Sequence, residues 1–426
     1  MVDVTAATID PSARLVAGQV ERRRAIGYGI FYFAMASITA LVFALGSDGD
    51  ARFGLARPQD RFSDFPDLVI PAATFGWLLA IVFAGLGAAQ FAAGFGRMRN
   101  LVLGIALALF VFGFLSWAAS GASFSLVGMF QETVLRTVPI TLGALAGVMC
   151  ERAGIINIAI EGMLLGGAFV GAIVGSALNS WVGLFAAGAS GALLAWVLAW
   201  LAIRFQVDQI IIGVVINIFV LGLTSFLALR VLTENPDLNS ATIFRRYSIP
   251  ILGDIPFLGP VLFDQNLFVY LSYALVVVVT YLLFSTRWGL RVRAVGEHPR
   301  AADTLGVNVL RVRYINVMLG GIIAGVGGAY FTLGSVGRFD ENMTGGRGFI
   351  ALAAVIFGRW HPVGVFAAAL VFGFADALQQ KLAILQTGIP SEFLLMAPYL
   401  VTIVVVAGLV GRSRGPAAEG QPYVKQ

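Results

Sequence analysis

Long apolar runs dominate the chain, separated by short polar stretches. They fall at 27–46, 68–95, 101–119, 133–149, 181–203, 209–229, 266–284, 314–332, 363–378 and 393–410. A further run begins at 150 and extends to about 174, and a shorter one occupies 349–357. Most approach the roughly 20 residues that a helix needs to cross the hydrocarbon of a bilayer. The weaker alternation of a transmembrane barrel is missing. The pattern predicts an all-α polytopic membrane protein with about 10–12 transmembrane or re-entrant helices. The run at 68–95 is long enough to tilt or to include an interfacial turn. The run at 349–357, stopped by Arg359, His361 and Pro362, is too short to cross alone and suggests a broken or re-entrant helix facing a cavity.

The polar stretches orient these spans. Arg22, Arg23 and Arg24 precede the first run, Arg97 and Arg99 follow the second, and Arg287, Arg291, Arg293, Arg300, Arg311 and Arg313 cluster between the eighth span and the next. Basic residues mark the cytoplasmic side, so both termini are expected inside. The first apolar run is too long for the core of a cleavable signal peptide and reads as a retained span. The segment 47–67, rich in Asp, fits the outer side. So does 233–264, where Pro236, Pro250, Pro256 and Pro260 predict an irregular cap or docking surface. Pro299 opens a segment able to form a short interfacial helix, Pro299 to Leu305, between spans. The tail after 411 is expected to be cytoplasmic and mobile.

The stretch 150–169 is the point at which polar chemistry enters the apolar pattern. Glu151 and Arg152 interrupt it, and Asn157 and Glu161 follow inside a glycine-rich tract. An isolated carboxylate in a membrane is costly, so Glu161 should meet protein or water. If the stretch is one helix, Asn157 and Glu161 share a face. That face is either a packing hot spot or part of a solute path. The glycines at 162, 166, 167 and 171 carry small-xxx-small spacing, which permits close helix approach. The turn 205–208 is so short that the spans on either side must be neighbours. Asn217 lies within the second of these and is expected to bond across an interface, while Thr224 and Ser225 can bond local carbonyls. Arg136, near the outer end of its span, is expected to snorkel to the interface. The three spans before 121 have no charge at their centres and read as a lipid-facing accessory bundle.

Composition narrows the chemistry. The 426 residues are 58% hydrophobic and only 12% charged, which excludes an ordinary soluble domain. The net charge of +5 lies beside the spans and serves orientation rather than nucleic-acid binding. The single cysteine, Cys150, excludes an intramolecular disulfide. The chain has no Gly-x-x-x-x-Gly-Lys-Ser/Thr loop and no His-Glu-x-x-His sequence, and its only histidines are His298 and His361. Neither ATP hydrolysis by that loop nor zinc hydrolysis is expected of it. Transport is the leading class.

Three stretches in order carry a resemblance: 150–169, the run from Asp208 to Asn217, and the run from Gly348 to Pro362. Together they resemble the permease of an ABC importer, in the superfamily that serves branched-chain amino acids, simple sugars and nucleosides. Within it the chain is most similar to nucleoside permeases working with basic-membrane-protein-type lipoprotein receptors. The resemblance covers roughly 130–411 and implies a type II-like permease core. It implies ATP-driven import of nucleosides, with a simple sugar such as ribose or galactose, then a branched-chain amino acid, as alternatives. It implies as partners a second homologous permease, forming a heterodimer, a cytoplasmic ATPase that uses ATP and Mg, and an external lipoprotein receptor, all in a bacterial inner or plasma membrane. No cofactor on this chain is implied, and no enzymatic activity.

By motif position, the resemblance makes Asn157, Glu161, Asn217 and Thr224 candidates for lining or supporting the translocation path. It assigns 285–313 to coupling with the ATPase, with Glu297, Pro299, Ala301, Ala302, Asp303, Leu305 and Gly306 as contacts. The implied organisation is a cytoplasmic segment 1–24, a three-helix extension 25–120, a permease core 121–411 and a cytoplasmic tail 412–426. The extension departs from the family pattern, in which a typical chain begins near Gly121.

Overall fold

The computed structural model describes residues 11–57, 65–385, 396 and 414–425. The span expected at 393–410, the first residues of the N-terminal segment and the start of the tail at 412–413 lie outside the described residues. Among those described, ten helices are long and apolar enough to cross a membrane. The chain divides into two compact units, broadly residues 1–126 and 127–426.

The first unit holds three long helices, α1 (Pro11–Ile38), α2 (Ala72–Ala92) and α3 (Arg99–Ala118). A π-turn at Thr39–Ala44 extends α1 to the end of its span. Its core is Tyr32, Met35, Leu79, Phe83, Leu103 and Ala106. Aromatic contacts thicken it, as where Phe43 meets Phe110 and Trp117 with centroids 5.3 and 5.9 Å apart. A small sheet, which the helical pattern did not predict, caps this unit. Strand β1 (Asp50–Gly54) pairs antiparallel with β2 (Leu68–Pro71) and parallel with β3 (Ser123–Ser125). The apolar residues of β2 had read as the start of the second span. They pair as a strand because Pro71 precedes the helix and lies in extended backbone at ψ 102°.

The second unit is built around α4 (Leu126–Glu151), α5 (Ile160–Ala177), α6 (Ser180–Arg204) and α11 (Val309–Phe331). Helices α5, α6 and α11 approach one another at glycine. A Cβ on Gly325 would stand 2.1 Å from the Ala187 carbonyl oxygen, and one on Gly167 would stand 2.3 Å from the Gly325 carbonyl oxygen. Only glycine permits backbones this close, and the contact replaces the hydrophobic drive that lipid does not supply. Helix α7 (Gln209–Leu227) follows α6 after its short turn, and α8 (Leu267–Ser285) comes after the outer segment. That segment carries a two-stranded pair, β4 (Arg246–Ser248) with β5 (Asp264–Asn266), among irregular turns.

Two short helices, α9 (Arg287–Glu297) and α10 (Pro299–Thr304), lie between α8 and α11. Pro299 occupies the first turn of α10, where its missing N–H costs nothing. After α11, a π-turn at Thr332–Val336 and an irregular loop lead to α12 (Arg347–Phe357), then α13 (Pro362–Leu385). Eleven residues give α12 a length of roughly 16 Å, about half the hydrocarbon thickness.

Two expectations are corrected. The stretch 150–169 is not one helix: α4 ends at Glu151 and α5 starts at Ile160, with turns and irregular backbone between. Gly154 takes a φ of +85°, and the Gly154 N–H bonds the Glu151 carbonyl at 2.8 Å, so the helix terminates as glycine-capped helices do. The tail is not free either. Residues 414–425 pack on the second unit, with Ala418 and Tyr423 buried.

Candidate functional site

The break between α4 and α5 is held by polar groups from other elements. The side-chain oxygen of Gln209 accepts from the Ile156 N–H at 2.7 Å. Asn217 spans the break: its amide donates to the Ile158 carbonyl at 2.8 Å, and its oxygen accepts from the Gly162 N–H at 2.7 Å. Asn217 therefore satisfies one of the orphan donors of the first turn of α5. Asn157 lies in the break, not on a helix with Glu161. It is fully buried, and its amide meets sulfur, Cys150 Sγ at 3.4 Å and Met163 Sδ at 3.7 Å.

Glu161 sits in the first turn of α5 and reaches the start of α12. One carboxylate oxygen accepts from the Thr344 hydroxyl at 2.6 Å and the Gly346 N–H at 2.8 Å. The other accepts from the Gly348 N–H at 2.6 Å. The carboxylate thus caps α12 and answers the positive end of its dipole. A Cβ on Gly348 would stand 2.5 Å from the Glu161 backbone, so the starts of α5 and α12 meet without space for a side chain. At the far end of α12, the indole of Trp360 donates to Glu151, and Arg152 Nε donates to the Trp360 carbonyl at 2.9 Å. The two carboxyl groups, Glu151 and Glu161, therefore pin the opposite ends of one half-length helix. Thr224 bonds the Val220 carbonyl of its own helix at 2.8 Å.

A cavity of about 470 Å³ opens beyond the N-terminal end of α12. Its walls include Phe244, Tyr330 and Phe331, with Asn266, Arg136 and Arg347 among the polar groups. Arg136 is held by two carboxylates. Its Nη1 pairs with Asp376 Oδ2 at 2.9 Å, and Glu132 lies 3.8 Å from its Nε. Arg347 Nη2 shares the same Asp376 oxygen at 3.2 Å, and its guanidinium lies 5.5 Å from the Phe331 ring centroid. One carboxylate thus holds two arginines from α4 and α12, leaving that trio with one net positive charge. Charge-assisted hydrogen bonds of this kind fix orientation more surely than they add stability.

None of Asn157, Glu161, Asn217 or Thr224 lines this cavity. Of the four, Glu161 is linked to the lining, since Thr344 with residues 346–348 joins it to Arg347. Asp376 had no signal of its own, since its partner Arg136 is 240 positions away. In the segment at 285–313, Leu305 is 85% exposed, and Ala301 and Gly306 are exposed as well. Ala302 is the exception. It is 3% exposed and packs with Val295, Val309 and Tyr423, so it anchors α10 and is not free to meet a partner.

Residues 129–410 match the model of a family described as the permease component of branched-chain amino acid transport systems. The chain belongs to this permease family. It is 41% identical over 303 residues to the guanosine ABC transporter permease protein NupQ of Bacillus subtilis, covering 69% of this chain and 95% of that relative. It is 36% identical over 304 residues to the nucleoside ABC transporter permease protein NupC of Lactococcus lactis, covering 68% and 95%. It is 34% identical over 327 residues to the putative glucose ABC transporter permease protein TsgC13 of Haloferax volcanii, covering 70% and 98%. No solved structure matches. This permease is the multi-pass, membrane-spanning subunit of an ATP-driven importer of the inner membrane, and hydrolysis belongs to the ATPase of that machine. The match begins after the three helices of the first unit, and its described residues up to Ile384 lie within the second unit.

Proposed function

We propose that this permease imports nucleosides. The observation that carries the reading is the likeness to permeases named for guanosine and for nucleosides, each matched along nearly its whole length. The cavity supports it. Aromatic faces at Phe244, Tyr330 and Phe331 suit a planar base, and the neighbouring arginines and Asn266 suit ring nitrogens and ribose hydroxyls. The machine proposed contains this chain, a second homologous permease as a heterodimer, a cytoplasmic ATPase and an external lipoprotein receptor that delivers the solute. Glu297, Pro299, Ala301, Asp303, Leu305 and Gly306 are proposed as the region that transmits ATPase movement. Asn157, Glu161 and Asn217 are proposed to support the path by fixing the α4–α5 break and, through Glu161, the half-length α12 beside the cavity.

The test is competition. Uptake of labelled guanosine by cells carrying the complete importer should fall with excess unlabelled nucleosides and persist with excess ribose, glucose or leucine. Inhibition by glucose alone would transfer the reading to the sugar branch, in which relatives of this chain are also named.

A further inference from the structure

The C-terminal segment touches nearly every element between the proposed coupling region and the broken helix. It starts beneath Trp360, where a Cβ on Gly415 would stand 3.0 Å from the indole. The Ala417 N–H donates to the Glu297 carboxylate at 3.2 Å, and the Ala418 N–H to the Gly296 carbonyl at 2.9 Å. Both acceptors lie at the end of α9. The Gly420 N–H donates to the Gly154 carbonyl at 3.2 Å, within the break between α4 and α5. Arg313 of α11 donates from Nη1 to the Gln421 carbonyl at 3.1 Å. The Tyr423 ring, beside Asp303, completes the cluster of Val295, Ala302 and Val309. Glu419 lies beside Glu151, and burial raises its carboxyl above the usual range, against the opposing effects of Glu151 and Arg152.

These contacts have a mechanical consequence. Helix α10 has six residues and cannot hold its shape by its own hydrogen bonds. Its buried anchor is Ala302, packed on Tyr423. A displacement of α10 therefore moves the C-terminal segment. That segment is bonded to the break whose other end carries Glu161 and, through it, α12.

We propose that residues 414–425 form a strap that positions α10 against the α4–α5 break, so that ATPase movement at α10 reaches α12 beside the cavity. Tyr423, Ala418 and Glu419 are its positioning residues. The proposal rests on the permease reading and is independent of which solute is carried.

The test uses the whole importer, with its partner subunits and receptor, in proteoliposomes. Its readout is solute imported per ATP hydrolysed, measured with any solute that the unaltered importer carries. Removing 414–426 should leave the ATPase bound and its basal hydrolysis intact while the ratio falls about tenfold, the size of a typical coupling term. A double variant, Tyr423→Ala with Ala418→Asp, should act in the same direction and decides the matter if the truncated chain does not assemble. Tyr423→Phe keeps the packing and should retain most of the ratio. An unchanged ratio in the assembled double variant overturns the proposal. So does a parallel fall of uptake and hydrolysis with the amount of complex, which is what a merely structural tail would produce. Failure to carry nucleosides, with the ratio still responding for another solute, would count against the cargo alone.

Discussion

The three spans of the first unit and the central spans of the second are built from apolar helices that use their surfaces differently. The spans Ala25–Ala44, Ala72–Ala92 and Gly96–Ala118 have mean hydropathies of 1.8, 1.9 and 2.4, yet only 33%, 33% and 28% of each window is buried within the protein. The spans Leu126–Glu151, Ile160–Ala177 and Val309–Val336 are less hydropathic, at 1.5, 1.6 and 1.6, and 89%, 72% and 72% buried. In water the order would be reversed. In lipid, the most apolar surface faces the solvent, and the interior is marked by glycine and by satisfied polar groups. Glu161 belongs to the second kind of helix and the rings around Phe43 to the first, while Asn217 reaches Glu161's helix from a span of hydropathy 2.6 that is only 33% buried.

The largest expected effect breaks the glycine contact that defines the second unit. Gly325→Val drives a side chain into the Ala187 carbonyl and should cost several kcal/mol, enough to abolish the folded permease in a thermal-stability assay in detergent. Its counterpart in the first unit is Gly104→Ala, where nothing stands within 4 Å. That change should leave the melting temperature unchanged or raise it slightly, since alanine favours a helix by about 1 kcal/mol over glycine.

Next comes Glu161→Ala, which strands two backbone donors at the start of α12 along with the Thr344 hydroxyl. Leaving such buried groups unpaired costs about 1–3 kcal/mol each. Both stability and uptake should fall, and Glu161→Gln, which keeps one acceptor oxygen, should fall less. If Glu161→Gln behaves as the unaltered permease does, the negative charge is not needed to hold α12. Asp376→Asn leaves two arginines without their carboxylate at the cavity. It should reduce uptake about tenfold with a smaller loss of stability, since half-buried pairs add little net energy. Normal uptake in this variant would remove the trio from the transport path. The smallest effect expected is that of deleting 1–120. Relatives matched over 95% of their own length align with only 69% of this chain, so uptake per assembled complex should stay within about twofold. A loss much larger than that would give the first unit a part in transport.

The spans were legible because apolar runs of bilayer length are a strong signal. The short α12 was legible for the same reason, being bounded by glycine and by Pro362. The break at 152–159 was hidden because Ile155, Ile156 and Ile158 keep the pattern apolar through its turns and irregular backbone. Its trace was Gly154 directly after Glu151 and Arg152, a helix-ending signal outweighed by the hydropathy around it. The β1–β3 sheet was hidden because its strands are three to five residues long. Asp376 could not be joined to Arg136 and Arg347, because pairing across 240 positions is a property of the fold. The tail looked mobile because Gly, Pro and Arg suggest disorder. Its order comes from backbone hydrogen bonds to Gly154 and Gly296, which side-chain composition does not report.

The central claim is that this chain forms the membrane path of an ATP-driven nucleoside importer. Its most direct test is the initial rate of labelled guanosine entry into proteoliposomes holding the permease pair, the ATPase and the receptor, with ATP supplied or withheld on the ATPase side. The account predicts entry that requires both ATP and the receptor and accumulates guanosine against its gradient. Equal entry without ATP, or no guanosine entry from an assembled importer that carries a sugar, would contradict it.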